Sequence, residues 1–138
     1  IEAGHTDIVG GHLDRAGYAS VAKQLAERFP FRMVAITLRE SKSAFDNDWS
    51  AMLYDVPNAS SYFSKVYHLH IVDRIGGGDS FGGGLIHALL HGMPPQGAVE
   101  FAVAASALKH SVEGDFNFAS VGEIEKLTRG DGSGRVQR

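Results

Sequence analysis

The chain has 138 residues, with 13 basic against 16 acidic side chains, 43% hydrophobic residues and no cysteine. That is long enough for one compact domain with a real core but short for a complete two-substrate enzyme, and the ordinary apolar and charged fractions set aside a disordered, collagen-like or coiled-coil chain. Balanced charge without a basic block gives nucleic acid or an anionic membrane no dominant attraction, and the lack of cysteine excludes a disulfide frame, a thiolate zinc site and a thiol nucleophile.

After Gly10 and Gly11, the stretch from Leu13 to Phe29 spaces Val21, Ala22, Leu25, Ala26 and Phe29 as one face of an amphipathic helix, which Pro30 should end. Met33 to Leu38 reads as a short buried strand. Lys42 to Ser50 turns polar and reads as a break; Ala51 to Asp55 and Lys65 to Val72 then read as two further strands around a Pro57-Asn58 turn. Gly76, Gly77 and Gly78 follow directly, and Ser80 to Leu90 runs on as a helix with Gly92 as its stop. Pro94 and Pro95 open the next helix, whose small residues Ala98, Ala102, Ala105 and Ala107 suit close packing against a sheet or a flat ligand. Ser120 and Glu123 form a capping-box pattern before a short last helix, and Gly130 to Arg138 reads as a frayed tail. No signal sequence and no apolar run of membrane-spanning length occurs, so a cytoplasmic protein is expected. The chain opens at Ile1 without an initiating Met, and an upstream part is therefore expected too.

Three consecutive glycines between a strand and a helix bring unblocked N–H groups towards a ligand at the positive end of the helix dipole, an arrangement suited to an anion. Asp79 stands at the same point, where a carboxylate is favoured as the proton-accepting anion. The local pattern fits a second reading equally well: the glycines only turn the chain, and Asp79 or Ser80 only caps the helix. A Walker A loop does not fit, because Gly82, Gly83 and Gly84 lead to Leu85 rather than Lys and Ser or Thr, and a dinucleotide fingerprint fails at Phe81.

The run Asp73-Arg74-Ile75-Gly76-Gly77-Gly78-Asp79-Ser80-Phe81 resembles the Asp-Thr-x-Gly-Ala-Gly-Asp-x-Phe signature of the ribokinase-like (PfkB) carbohydrate kinases. With Arg74 in place of Thr it is similar to the variant of the bacterial 2-keto-3-deoxygluconate kinases, and Lys109-His110-Ser111, Gly114-Asp115-Phe116-Asn117 and Thr37-Leu38-Arg39-Glu40-Ser41 extend the resemblance over nearly the whole chain. The resemblance implies the C-terminal, ATP-binding and catalytic-base part (residues 1–138) of a three-layer α/β fold with a mostly parallel sheet, incomplete at its N-terminus. It implies transfer of the ATP γ-phosphate with Mg2+ to a sugar or sugar-acid hydroxyl, the 6-hydroxyl for 2-keto-3-deoxygluconate. A fructokinase or ribokinase relative, or a nucleotide-binding fragment without turnover, are the alternatives.

Residue by residue, the resemblance makes Asp79 the general base, Gly76, Gly77 and Gly78 the anion hole, and Thr37, Arg39, Gly78, Ala102 and Ser106 the nucleotide contacts. Asp73 would shape the loop or a neighbouring K+ site, and turn formation alone would also account for it. Arg39 replaces a family glycine and reads as a phosphate contact or a solvated side chain; Ala102 to Ser106 reads as an adenine border or as ordinary helix packing. Lys109, His110 and Gly114 fall near the nucleotide pocket without individual roles. No Asn-x-x-Glu motif is present, no metal ligand is assigned, and the family's sugar-contacting half and lid are not found; the resemblance implies that a homo-oligomer of the full-length protein would often form through that lid. The expected partner is a small molecule, with no nucleic acid and no membrane. His87 with His91 and His68 with His70 are geometrically possible pairs, better explained as structural; Glu123 reads as a cap and Trp49 as packing.

Overall fold

The computed structural model of the protein describes residues 14–130. Leu13, Gly10, Gly11 and the tail beyond Gly130 lie outside them. Helix α1 (Arg15–Arg28) begins where the Gly17 N–H donates to Asp14 Oδ1 at 3.0 Å, and it stops at Phe29, which is extended ahead of Pro30. A proline disfavours the helical conformation in the residue before it, so the predicted end is the observed one.

Four strands follow: β1 (Met33–Ser41), β2 (Asp46–Asp55), β3 (Ser60–Phe63) and β4 (Tyr67–His70). β1 pairs with one edge of β2 along almost its whole length; β3 and β4 pair with the other edge, one after the other. Their registers differ by one residue, with Met52 opposite Phe63 but Trp49 opposite Tyr67, so β3 and β4 behave as one strand broken by a bulge. Ser64 holds that bulge: its Oγ accepts from Ala51 N at 3.0 Å while its own N–H donates to Ala51 O.

Every described pairing is antiparallel, which differs from the mostly parallel sheet expected. The connections explain it, because the links from Ser41 to Asp46 and from Asp55 to Ser60 are too short for the crossover that parallel neighbours need. β1 and β4 nevertheless run in the same direction, with β2 reversed between them. The second difference is Asp46 to Ser50, read as a break and found as the first half of β2. Its polar side chains are accommodated across the strands. Ser41 Oγ donates to Asn47 Oδ1 at 2.9 Å, Lys42 Nζ lies 3.1 Å from Asp48 Oδ2, His68 Nδ1 bonds Asp48 Oδ1, and His70 Nδ1 lies 2.9 Å from Asp46 Oδ1.

α2 (Gly77–Leu90), α3 (Pro95–His110) and α4 (Val121–Arg129) complete the described chain. α3 starts with Pro95 in its first turn, and α4 carries the full capping box between Ser120 and Glu123. Two cores form on opposite faces of the sheet. Ala22 of α1 joins Val34, Leu38, Met52 and Tyr54 on one face; Trp49, Ala51, Leu53, Tyr67 and Leu69 face Phe81 of α2, the buried length of α3 and Ile124 of α4 on the other. The result is an α/β arrangement with the sheet between helices. No described helix is long and apolar enough to cross a membrane.

Candidate active site at the glycine turn

β1 and β4 end at the same side of the sheet, and the chain leaves β4 there to enter the glycine turn. Ser41 lies opposite Asn47, which lies opposite Leu69, so the end of β1 and the end of β4 that leads into the turn share one edge. In α/β proteins this edge, beyond the carboxyl ends of strands, is where ligands bind.

Gly76 is the N-cap of α2, with φ at +76°, a left-handed conformation that glycine adopts without strain. A side chain there would overlap the Asp115 carbonyl oxygen and approach Lys109 Cε to 3.3 Å. Gly77 is required for a different reason: a methyl on it would stand 2.5 Å from His110 Cε1. At Gly78 a methyl would meet nothing within 4 Å, so this glycine faces open space. The helix therefore begins inside the glycine run, earlier than the predicted start at Ser80. Its first-turn N–H groups have no acceptor within the helix, and of these Gly77 N donates to the Arg74 carbonyl at 3.4 Å.

Asp79 lies in that first turn, and its residue is exposed. No side chain caps α2. The reading in which Asp79 or Ser80 serves as the cap is therefore not what the structure shows, and among the described residues nothing occupies the Asp79 carboxylate.

Asp73 accepts from Ile75 N at 3.0 Å through Oδ1 and from Gly114 N at 2.9 Å through Oδ2, tying the turn to the bend after α3. These two N–H groups, with the Lys109 charge behind them, hold its carboxyl below the usual range. Arg74 donates to the Ala44 carbonyl at 2.7 Å and pins the turn over the β1–β2 loop. Ser106 Oγ donates to Gly77 O at 2.8 Å from inside α3. His110 Nδ1 bonds the Ser106 carbonyl at 2.7 Å and its ring packs on Trp49, centroids 4.8 Å apart. Burial pushes the His110 pKa down, and the charges of Lys109, Arg74 and Arg39 push it further, so the imidazole is kept neutral. The positive charges of Lys109, Arg74 and Arg39 thus act on the histidine seated against Gly77.

Thr37 and Arg39 are exposed on one face of β1, the face that Ala51 and Trp49 share with the α2–α3 side. Ala102 and Ser106 are different. Both are fully buried, Ala102 against Gly84 and Ser106 against Gly77, so neither presents surface to a nucleotide. Close packing of α2 on α3 requires small residues there, and that packing is the role the structure gives them. Sequence reasoning did not find the link from Asp73 to Gly114, 41 residues on, or the seating of His110 on Trp49. His87 and His91 stack on one another with centroids 4.1 Å apart, and among the described residues no three His, Cys, Asp or Glu gather to hold a metal ion.

The pattern of the pfkB family carbohydrate kinases matches residues 6–120, and the chain belongs to that family. Among solved structures it is similar to the 2-dehydro-3-deoxygluconokinase of Thermotoga maritima, with a TM-score of 0.81, 49% identity, and coverage of 85% of this chain and 35% of that one. It is also similar to a PfkB family carbohydrate kinase of Listeria grayi, with a TM-score of 0.76, 28% identity, and coverage of 93% of this chain and 36% of that one. The 2-dehydro-3-deoxygalactonokinase of Haloferax volcanii is 30% identical over 115 residues, which are 83% of this chain and 33% of that protein. The chain thus spans about a third of the length of these relatives.

Proposed function

We propose that this chain is the ATP-binding and catalytic-base part of a sugar-acid kinase whose substrate is 2-keto-3-deoxygluconate, phosphorylated at its 6-hydroxyl. One observation carries the reading: an exposed carboxylate, Asp79, stands without a partner among the described residues in the first turn of a helix whose N-cap, Gly76, has no side-chain cap. A helix entrance with backbone donors suits a phosphoryl group, and an exposed carboxylate beside it suits a proton acceptor.

In this reading Asp79 takes the proton of the attacking hydroxyl as its oxygen bonds the γ-phosphorus and the bond to ADP breaks. Backbone N–H groups of Gly76 to Gly78 bind the phosphoryl oxygens as charge spreads over them. Arg39, near the end of β1, and Thr37, at its middle, are both exposed and are assigned to the nucleotide phosphates. Ala102 and Ser106 act indirectly by seating α2. Bound Mg2+ would supply charge neutralisation between the phosphates. No residue is assigned to hold it. The mostly parallel sheet fits this reading if further strands add on the outer edge of β1, which pairs only with β2 among the described residues. A cytoplasmic setting belongs to the same proposal.

The span of about a third of the relatives' length favours one other reading, a nucleotide-binding segment without turnover by itself. ADP release with Mg-ATP separates the two, measured over 2-keto-3-deoxygluconate, 2-keto-3-deoxygalactonate, fructose and ribose. A chain extended to the relatives' length should turn over the keto-sugar acids and this segment alone should not; release on ribose or fructose alone contradicts the substrate assignment.

A further inference from the structure

Lys109, in the last turn of α3, is completely buried. A buried ammonium is among the costliest groups to fold around unless carbonyl dipoles or negative charge surround it. Among the described residues it makes one hydrogen bond, from Nζ to the Val112 carbonyl at 3.1 Å. Its surroundings are the glycine turn. Its Cε would lie 3.3 Å from a side chain at Gly76, the place where the Asp115 carbonyl also approaches. Its charge acts on Asp73, whose carboxylate binds Ile75 N and Gly114 N. The ammonium therefore sits where three pieces of chain meet: the turn from Asp73 to Gly76, the end of α3, and the bend from Val112 to Asp115.

The K+ site expected beside Asp73 does not fit this arrangement. Each carboxylate oxygen already accepts from a backbone N–H group, and a fixed positive charge already acts on the same carboxylate. A second cation there would be repelled. We infer that Lys109 is the resident cation of the glycine turn: its ammonium, under Gly76 and beside the Val112 carbonyl, holds the anion-binding loop in shape without a monovalent metal ion. Lys109 is then a positioning residue. It acts through Asp73 and Gly76 and does not touch the phosphate. The role deepens the kinase reading given above, yet its test needs no turnover, so the two can fail separately.

The test reads thermal unfolding of the chain in KCl, NaCl and choline chloride at equal ionic strength, with hydrogen exchange at the Ile75 and Gly114 amides. Wild type should show the same midpoint in all three salts. Lys109→Met, which keeps volume and removes charge, should speed exchange at both amides by about tenfold or more. Lys109→Ala should be weakened further, with K+ or propylammonium, but not choline, slowing exchange again. A saturable, K+-specific rise of the wild-type midpoint would overturn the inference, as would Lys109→Met with wild-type exchange at both amides. If neither variant folds, the wild-type salt series still decides.

Discussion

A methyl group would meet three different surroundings at Gly76, Gly77 and Gly78, and the difference separates folding from ligand binding at single-residue resolution. At Gly77 it would stand 2.5 Å from a His110 ring that cannot readily yield, because Nδ1 is bonded to Ser106 O and the face packs on Trp49. Gly77→Ala is expected to cost about 1–3 kcal/mol and lower the melting temperature by several degrees. Gly78→Ala meets nothing within 4 Å and should fold normally, while weakening Mg-ATP in calorimetry if phosphate approaches this backbone. Equal melting temperatures for the two variants would contradict the geometry.

Titration gives a second check at this scale. The His110 pKa lies below its ordinary 6.5 in the fold, chiefly through burial, so its contribution to stability is full above that pH and is lost as pH falls through the folded value. Asp73 is held below the ordinary 3.8 by the Ile75 and Gly114 amides, so its contribution is lost at still lower pH, through its own folded value. Urea midpoints against pH should therefore decline in two stages, and His110→Gln should remove the upper one. A wild-type curve that stays level from pH 6.5 down to 3.8 would be inconsistent with a buried neutral imidazole. Asp79 was legible in the sequence as a carboxylate at a helix entrance. Its freedom from capping was not, because capping depends on where the helix starts, and Gly76 rather than Asp79 or Ser80 takes that place.

Elements punctuated by proline and glycine were the most readable: Pro30 after α1, Pro95 in the first turn of α3, and Gly92, with φ at +72°, after α2. β2 was half missed, since the partners of Asp46, Asn47 and Asp48 lie on β1, β4 and the loop between β1 and β2, and pairing of that kind leaves no mark in a local window. The α2–α3 contact positions the glycine turn and rests on small residues. A methyl at Gly84 would lie 3.1 Å from Ala105 Cβ and 3.2 Å from Ala102 Cα, and the second of these is backbone. Gly84→Ala should accordingly part the helices and cost about 1–3 kcal/mol. Gly82→Ala is the control. With nothing within 4 Å, it should be neutral or stabilise by up to about 1 kcal/mol through helix propensity, and thermal melts of the pair would show the contrast.

At the scale of the whole molecule, the layered α/β class was readable from alternating helical and strand periods, and family membership from the motif around the turn. The described strands pair antiparallel because the connections around β2 are too short for a parallel crossover, a local constraint that the motif resemblance does not carry. The chain spans about a third of its relatives' length. The candidate site lies at one edge of one sheet, where β1 and β4 end together and α2 begins.

Asp79→Asn tests the kinase reading most directly, made in a chain extended to the relatives' length and assayed for ADP release with 2-keto-3-deoxygluconate alongside calorimetric Mg-ATP binding. The residue is exposed and has no partner among the described residues, so folding and nucleotide affinity should be kept. Loss of the general base should lower turnover by about 10²–10⁴-fold. Turnover within a few-fold of wild type would contradict the assignment of Asp79 as the base.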